Sequence, residues 1–455
     1  MNIVIVGDGK VGYTLTKMLS QEGHDIVVID SNAHVLKESQ DMLDVAVVHG
    51  NGACVEVQLE AQVPESELLI AATSSDEVNL LCCLVARKLG CKHTVARVRN
   101  PDYDAQLSLL ENELGLSLRI NPEKSSAREI FRLLQFPSFL KRDSFAKGRV
   151  ELVELKLKPG NILIGNRLMD IHKLGMDKLN MLICAVDRDE QITIPKGNFE
   201  LLEGDKITVA ADATELARLL RHLNVRKQEV QSVMIVGGGR IAEYLAAMLT
   251  RARVQVTIIE QNRERCEQLT ESLPGVMVIH GDGTSQELLL AEGLKSTGAL
   301  VTLTGMDEEN LIISMFGSYV GVEKTITKIN RTEYTAVFAD KGIDTIVSPK
   351  MLTANEIVSY VRSLDTTEGA IVTLYRIIDG RAEAVEFSVL TDAPYLNTPL
   401  MELKLKPGIL LACFIRGRKV IIPKGSDYMQ KGDSVIVVTT ADQPIYDLRE
   451  IFEEI

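Results

Sequence analysis

The sequence has no long apolar run, no excess of positive charge, and no grouping of cysteine and histidine at metal-ligand spacing. Its longest uncharged stretches, such as NLIISMFGSYVGV from Asn310, fall short of the ~20 apolar residues a membrane helix needs, so no transmembrane span is expected. With 50 Lys and Arg against 63 Asp and Glu, the formal charge of −13 opposes attraction to nucleic acid or anionic lipid. Nucleic acid is therefore not an expected partner. The seven cysteines form no CxxC pair, and several sit inside apolar runs: Cys82 and Cys83 in NLLCCLVA, Cys184 in LICAV, Cys413 in LACFI. They read as buried free thiols, and the scattered histidines give no support for zinc. The chain opens on a strand-like MNIVIVG, without a basic segment leading into an apolar one, and a cytoplasmic location is expected.

What is present is a repeat. At 455 residues, with 45% apolar and 25% charged residues, about two to four ordinary domains are expected. IVIVGDGKVGYTLTKML from Ile3 returns as VMIVGGGRIAEYLAAML from Val233. HGNGA at His49 is answered by HGDGT at His280, AATSSDEVNLL by TLTGMDEENLI, VARVRNPDY by ITKINRTEY, and INPEKSSAREI by VSPKMLTANEI, always in the same order. Each half then closes on a second motif, IPKGNFELLEGDKITVAA from Ile194 and IPKGSDYMQKGDSVIVVTT from Ile422, where period-two alternation around a turn predicts short antiparallel strands. The expected fold class is α/β: two Rossmann-like parallel-sheet domains, at 1–135 and 231–360, each followed by a small β-rich domain, at 145–227 and 367–455.

In the first half, NIVIVG followed by helical spacing of Val11, Leu15, Met18 and Leu19 reads as strand, turn and helix. DIVVID and LDVAVVHG supply two further strands of a parallel unit. Gly7, Gly9 and Gly12 make GxGxxG: the first glycine permits the turn, the second admits a pyrophosphate to the backbone, and the third lets helix pack on strand. The amides of Lys10 and Val11 would face a phosphate at the positive end of that helix. Asp30, at the end of the second strand, is placed to accept hydrogen bonds from an adenosine ribose. The second copy keeps Gly237 and Gly239, puts Ala242 at the third position, and ends its second strand at Glu260. A carboxylate at Asp30 or Glu260 would repel a ribose 2′-phosphate, which disfavours NADP and leaves ATP, ADP and NAD(H) open.

Three kinds of function fit two such modules: a nucleotide sensor, an NAD-dependent oxidoreductase, or a scaffold with vestigial sites. A dehydrogenase needs a substrate domain and an acid or base beside the nicotinamide, and neither is visible. His49 and His280 end third strands on the adenosine side and read as structural. Thr73 and Ser74, with counterparts Thr304 and Gly305, follow the fourth strand and lack an activating base. Arg97, at the end of the fifth strand, can clamp phosphate, with Lys328 as a point-charge equivalent. Ligand sensing without catalysis is the reading these residues favour.

The alternation of GxGxxG and IPKG…GD units, twice in one chain, resembles the Trk-type potassium-uptake regulators with tandem RCK (KTN) domains, over essentially the whole length. The resemblance implies a cytoplasmic peripheral subunit that binds NAD(H) and adenine nucleotides such as ATP and ADP. It also implies assembly as a homo-oligomeric ring, a tetramer, and control of a membrane potassium transporter of the TrkH type. Carried over by position, nucleotide contacts fall on Gly7, Asp8, Gly9, Lys10, Val11, Asp30, Thr73, Ser74 and Arg97. In the second half they fall on Gly237, Gly238, Gly239, Arg240, Ile241 and Glu260, with Thr304 and Lys328 as counterparts. The family's Gly-Asp after the third strand is kept as Gly281 and Asp282, whereas the first half has Gly50 and Asn51, so the two sites are expected to differ in ligand preference.

Overall fold

The first glycine-rich loop lies where a parallel sheet reverses its strand order. The computed structural model describes the chain except residues 101–102, 104–105, 107–112, 137, 177, 190, 224–229, 332–342, 344, 366–370, 379–380 and 454–455; the linkers expected near 225–230 and just after 365 fall largely outside the described residues. The first unit contains β1 (Asn2–Val6), β2 (Asp25–Asp30), β3 (Ala46–His49), β4 (Leu68–Ala71), β5 (His93–Arg97) and β6 (Leu118–Ile120), paired in parallel in the order β3-β2-β1-β4-β5-β6. Its helices are α1 (Lys10–Gln21), α2 (Ala33–Met42), α3 (Val55–Glu60), α4 (Asp76–Leu89) and α5 (Pro122–Gln135). Local chemistry sets these ends. In α4, for example, Ser75 caps the Val78 amide, Asp76 and Glu77 occupy the first turn, Arg87 and Lys88 the last, and Gly90 closes it at φ +113°.

A small antiparallel sheet follows: β7 (Lys141–Phe145), β8 (Val150–Lys156), β9 (Met181–Arg188), β10 (Gln191–Thr193) and β11 (Lys206–Ala211), in the order β10-β9-β11-β8-β7, with α6 (Ala213–His222) after it. The second half repeats the plan. Its parallel strands are β12 (Ser232–Val236), β13 (Gln255–Glu260), β14 (Met277–His280), β15 (Ala299–Thr302), β16 (Thr325–Lys328) and β17 (Thr345–Val347), ordered β14-β13-β12-β15-β16-β17. The helices are α7 (Arg240–Arg251), α8 (Arg263–Ser272), α9 (Gln286–Ala291), α10 (Asp307–Tyr319) and α11 (Pro349–Asp365). The final antiparallel sheet has β18 (Ile371–Ile377), β19 (Ala382–Ser388), β20 (Ile409–Arg416), β21 (Lys419–Ile421) and β22 (Ser434–Thr440), in the order β18-β19-β22-β20-β21.

The IPKG…GD motif is a structural clasp. Asp205 of the first GD turn accepts two hydrogen bonds from Arg188, at 2.7 and 2.8 Å, and one from the Leu202 amide; Asp433 does the same with Arg416, both at 2.9 Å, and the Gln430 amide. Each turn is thereby tied to the end of a neighbouring strand by a bidentate, charge-assisted pair.

The halves are not two beads in series. Ala127, Ile130, Leu133 and Leu134 of α5 pack into the second unit's core with Ile241, Leu245 and Leu249 of α7. In return Ala354, Ile357, Val358 and Val361 of α11 join Val11, Leu15 and Met18 of α1. The last helix of each parallel unit thus completes the other's core. The core around α11 continues into the second small sheet through Leu374, Val385, Phe387 and Leu411. The first small sheet keeps a core of its own around Val153, Ile207, Leu216 and Leu219, and the two small sheets meet through Leu152, Cys184 and Ala210 against Ala384, Cys413 and Ile436. Six of the seven cysteines are buried free thiols and Cys54 is exposed.

The α1–α11 joint also carries a buried ion cluster. Arg362, 1% exposed, donates to Glu22 at 2.7 and 2.9 Å and to Glu383 at 2.9 and 3.2 Å, while Arg376 donates to the same two carboxylates. Burial opposes the charge on Arg362, yet the hydrogen bonds and charges of Glu22 and Glu383 win and hold its pKa above the ordinary arginine value.

Candidate functional site

At the point where β1 lies between β2 and β4, the chain leaves β1 through Gly7. Its φ is +96°, and a Cβ there would sit 2.8 Å from the Thr73 amide nitrogen of the loop after β4, so both backbone angle and space demand glycine. Gly12 lies a turn into α1, where a Cβ would strike the Gly7 carbonyl oxygen. Gly9 caps α1 without a side-chain hydrogen bond, and a Cβ added to it meets nothing within 4 Å. The first intrahelical bond runs from the Tyr13 amide to the Gly9 carbonyl, which leaves the amides of Lys10 and Val11 at the open end of the helix. Gly237 repeats this geometry with φ +100°, pressed against the Leu303 carbonyl carbon, and Gly239 caps α7 in the same way.

Asp30 ends β2 beside the loop. Its two oxygens accept hydrogen bonds from the Asp8 amide, at 2.7 Å, and the Asn32 amide, at 2.8 Å. Those bonds fix the carboxylate and leave one acceptor direction on each oxygen for a vicinal diol. Glu260 is held identically by the Gly238 and Asn262 amides, both at 2.7 Å. Asn51 Oδ1 accepts from the Ala53 amide and Asp282 Oδ1 from the Thr284 amide, so amide and carboxylate occupy equivalent turns; they differ in charge and in the further hydrogen bond that the Thr284 hydroxyl donates to Asp282.

Gly7, Gly9, Lys10, Val11, Asp30, Asn51, Thr73, Ser74 and Arg97 line one cleft of about 750 Å³. The second half forms its other wall, through Ile241, Lys328, Asn330 and Lys350. Arg97 reaches this cleft with its guanidinium 4.0 Å from Glu123 and its Nε without a hydrogen-bond partner among the described residues. Burial lowers its pKa, with Glu123 opposing and the positive charges of Arg99 and Arg240 adding to the shift. A volume of this size suits a nucleotide, and the cleft joins open helix-end amides, a fixed diol acceptor and half-buried cations at a topological switch point.

Known proteins match this chain in both halves. The TrkA-N domain profile matches residues 3–122 and 233–349, and the TrkA-C domain profile matches 152–224 and 384–453. The Trk system potassium uptake protein TrkA homolog 1 of Methanosarcina mazei is 32% identical, over 97% of this chain and 98% of its own length. The chain belongs to the TrkA family of Trk-system potassium uptake proteins. The TrkA of Halomonas elongata is likewise 32% identical, across 100% of this chain and 99% of that protein. Among solved structures, the GsuK channel bound to NAD superimposes with a TM-score of 0.63 at 19% identity, covering 97% of this chain and 77% of that one, a likeness of fold.

Within this TrkA-family chain the two loops are not equal. Asp8 does not face the cleft: its buried carboxylate accepts a 2.5 Å hydrogen bond from Ser39 of α2. Burial pushes its pKa up to about 6, against the Ser39 hydrogen bond. The second half has Gly238 and Leu269 in those places, and a Cβ on Gly238 would lie 2.6 Å from the Leu269 side chain. The Asp–Ser pair and the Gly–Leu pair are alternative fillings of one gap. Across the second loop lies Arg265, which donates to the Gly238 carbonyl at 2.8 Å and to Glu243 at 2.6 Å; the equivalent first-half positions are Val35 and Tyr13. Arg240 opens α7 near Arg97, and Lys328 turns back to donate to the Thr304 carbonyl at 2.5 Å. Burial lowers the Lys328 pKa; Asp307 opposes this, while Lys10 of the first loop reinforces it. Cations of both loops therefore share one electrostatic environment.

The residues that hold these loops carry no part in the sequence-based site. Asn79 accepts from the Thr73 amide and donates to the Arg97 carbonyl, each at 2.8 Å, fastening the β4 loop to the end of β5; Asn310 joins Thr304 to Lys328 in the same way. Asp76 accepts from the Arg99 and Asn100 amides, and Asp307 from those of Asn330 and Arg331. The signal was available in the repeated Asp-Glu and Asn-Leu of DEVNLL and DEENLI. His49 and His280 bond the backbone carbonyls of Ser31 and Gln261, at 3.0 and 3.1 Å, as structural histidines.

Proposed function

We propose that this chain is the nucleotide-sensing regulatory subunit of a Trk-type potassium uptake system. It works from the cytoplasmic side as a ring of identical chains, tetrameric in the simplest reading, on a TrkH-type membrane partner. The observation that carries the proposal is the cleft built by both halves: Gly9, Asp30 and Arg97 on one wall, Lys328 and Lys350 on the other. A ligand held there contacts two units at once and biases their arrangement by its differential affinity for it. NAD(H), ATP and ADP all present the unphosphorylated ribose that Asp30 and Glu260 would receive. That a GsuK channel of this fold was solved with NAD supports the cofactor class. The Gly7, Gly9, Lys10, Val11, Asp30, Asn51, Thr73, Ser74 and Arg97 set forms the first site. Gly237, Gly239, Arg240, Ile241, Glu260, Asp282, Thr304 and Lys328 form the second, where the Arg265–Glu243 pair makes ligand preference differ.

Calorimetric titration of the purified chain with ATP, ADP, NADH and NADPH tests this. NADPH should bind at least about tenfold more weakly than NADH, and Asp30→Ala should weaken ATP, ADP and NADH together, each lost charge-assisted bond being worth roughly 1.5–3 kcal/mol. Equal binding of NADPH and NADH, or turnover of NADH with 2-keto acids at ordinary enzyme rates, would overturn the sensor reading; no binding of any of the four would leave a scaffold.

A further inference from the structure

A second cavity, of about 850 Å³, lies away from the glycine loops, between α5, α11 and the first strand of each small sheet. Its walls are mixed. Phe131, Met351, Leu352 and Tyr375 supply apolar and aromatic surface, while Arg128, Arg132 and Lys141 bring positive charge. Arg132 pairs with Glu129. Arg128 has no hydrogen bond or ion pair among the described residues; its charge acts on Glu356, which is itself bonded to Ser125. Two buried polar atoms in the lining, Ser348 Oγ and Asn355 Oδ1, also have no hydrogen-bond partner among the described residues. Unmet buried polar atoms are uncommon in native proteins and need a reason.

The charge balance selects the occupant. Glu129, Asp143 and Glu356 also line the cavity, and burial raises the pKa of each, that of Asp143 to about 7. Asp143 therefore carries only part of its charge near neutrality, Glu129 is engaged by Arg132 and Glu356 by Ser125, whereas the arginines keep their charge. We propose that this cavity is a second ligand site, separate from the nucleotide cleft, for a small organic anion with a carboxylate or phosphate group and a flat apolar body. The anionic group would meet Arg128 beside Arg132 and Lys141, the apolar body would lie on Leu352 and Tyr375, and a hydroxyl or amide of the ligand would satisfy Ser348 and Asn355. Such a ligand touches both crossing helices and both small sheets, and so acts on the joint between the halves.

The test uses the full chain with 8-anilinonaphthalene-1-sulfonate, an aromatic organic anion, and its neutral analogue N-phenyl-1-naphthylamine, each followed by fluorescence with and without saturating ADP. The anionic probe should bind at one site per chain, regardless of ADP, and more tightly than the neutral one. Arg128→Glu, on an exposed face of α5, should weaken the anionic probe by about tenfold and leave the neutral probe within about twofold. Leu352→Trp, which fills the cavity, should abolish both. If Leu352→Trp fails to fold, Arg128→Glu alone decides through the difference between the probes. Binding lost on adding ADP, binding lost in Met401→Ser on the exposed surface, equal loss of both probes in Arg128→Glu, or no binding would each overturn the proposal.

Discussion

Replacing Glu22 by alanine should loosen the joint between the halves more than any single change at the nucleotide cleft. In the folded chain Glu22 is 5% exposed and receives three hydrogen bonds, two from Arg362 and one from Arg376, at 2.7–3.1 Å. The cluster balances two arginines against two glutamates. Removing one carboxylate leaves a surplus positive charge in a site where Arg362 is almost wholly out of water, with three N–H donors unmet. Breaking a buried pair by removing one partner costs about 3–5 kcal/mol; Glu383 still shields Arg362, so the lower end, about 3 kcal/mol, is expected. For a cooperative unit of roughly 200 residues that is a fall in melting temperature on the order of 10 °C. Differential scanning calorimetry of the full chain measures it. A control sharpens the reasoning: Glu22→Met with Arg362→Met removes one charge of each sign, leaves Glu383 paired with Arg376, and should be less damaging than Glu22→Ala alone. A loss below about 2 °C for Glu22→Ala, or a double variant worse than the single, would refute the view that this cluster holds the halves together.

Three other outcomes follow from the cleft. Arg97→Ala, measured with the second site silenced by Glu260→Ala, should shrink the ratio of ATP to ADP affinity while preserving selectivity against NADPH; an unchanged ratio excludes Arg97 as the phosphate reader. Lys350→Ala should weaken ATP binding several-fold although Lys350 belongs to the second half, an expected loss of about 1 kcal/mol for one half-buried charge contact, read by the same titration. Asp8→Asn should change the pH dependence of stability, because a carboxyl raised from 3.8 to about 6 in the fold binds more protons folded than unfolded between those values. Stability of the parent therefore falls as pH rises through that window. The variant should gain relative to it up to about pH 6 and hold that gain above, whereas near pH 3 the two should differ by no such term; melting curves that stay parallel from pH 3 to 7 would contradict the burial argument.

Much of the site is legible in the sequence, because its parts are local. A strand pattern, a positive-φ glycine, an uncapped helix start and an acid at the next strand end lie within about thirty residues of one another, and backbone sterics and hydrogen bonding fix their geometry over that range. The duplication was legible for the same reason, each half repeating its own local code. Asn79 and Asp76 were visible as repeated letters without a role, since their partners, Thr73 and the backbone after β5, meet them only when β4 and β5 pair. Tertiary structure alone decided that α5 completes the second unit and α11 the first, an exchange that apolar faces permit because burial is non-directional and either core would accept them. That exchange brings Lys328 and Lys350 into the first cleft, opens the cavity between the crossing helices, and buries Arg362 against a glutamate 340 residues away. Sequence determined what each half can hold; packing between the halves decided what each half can feel of the other.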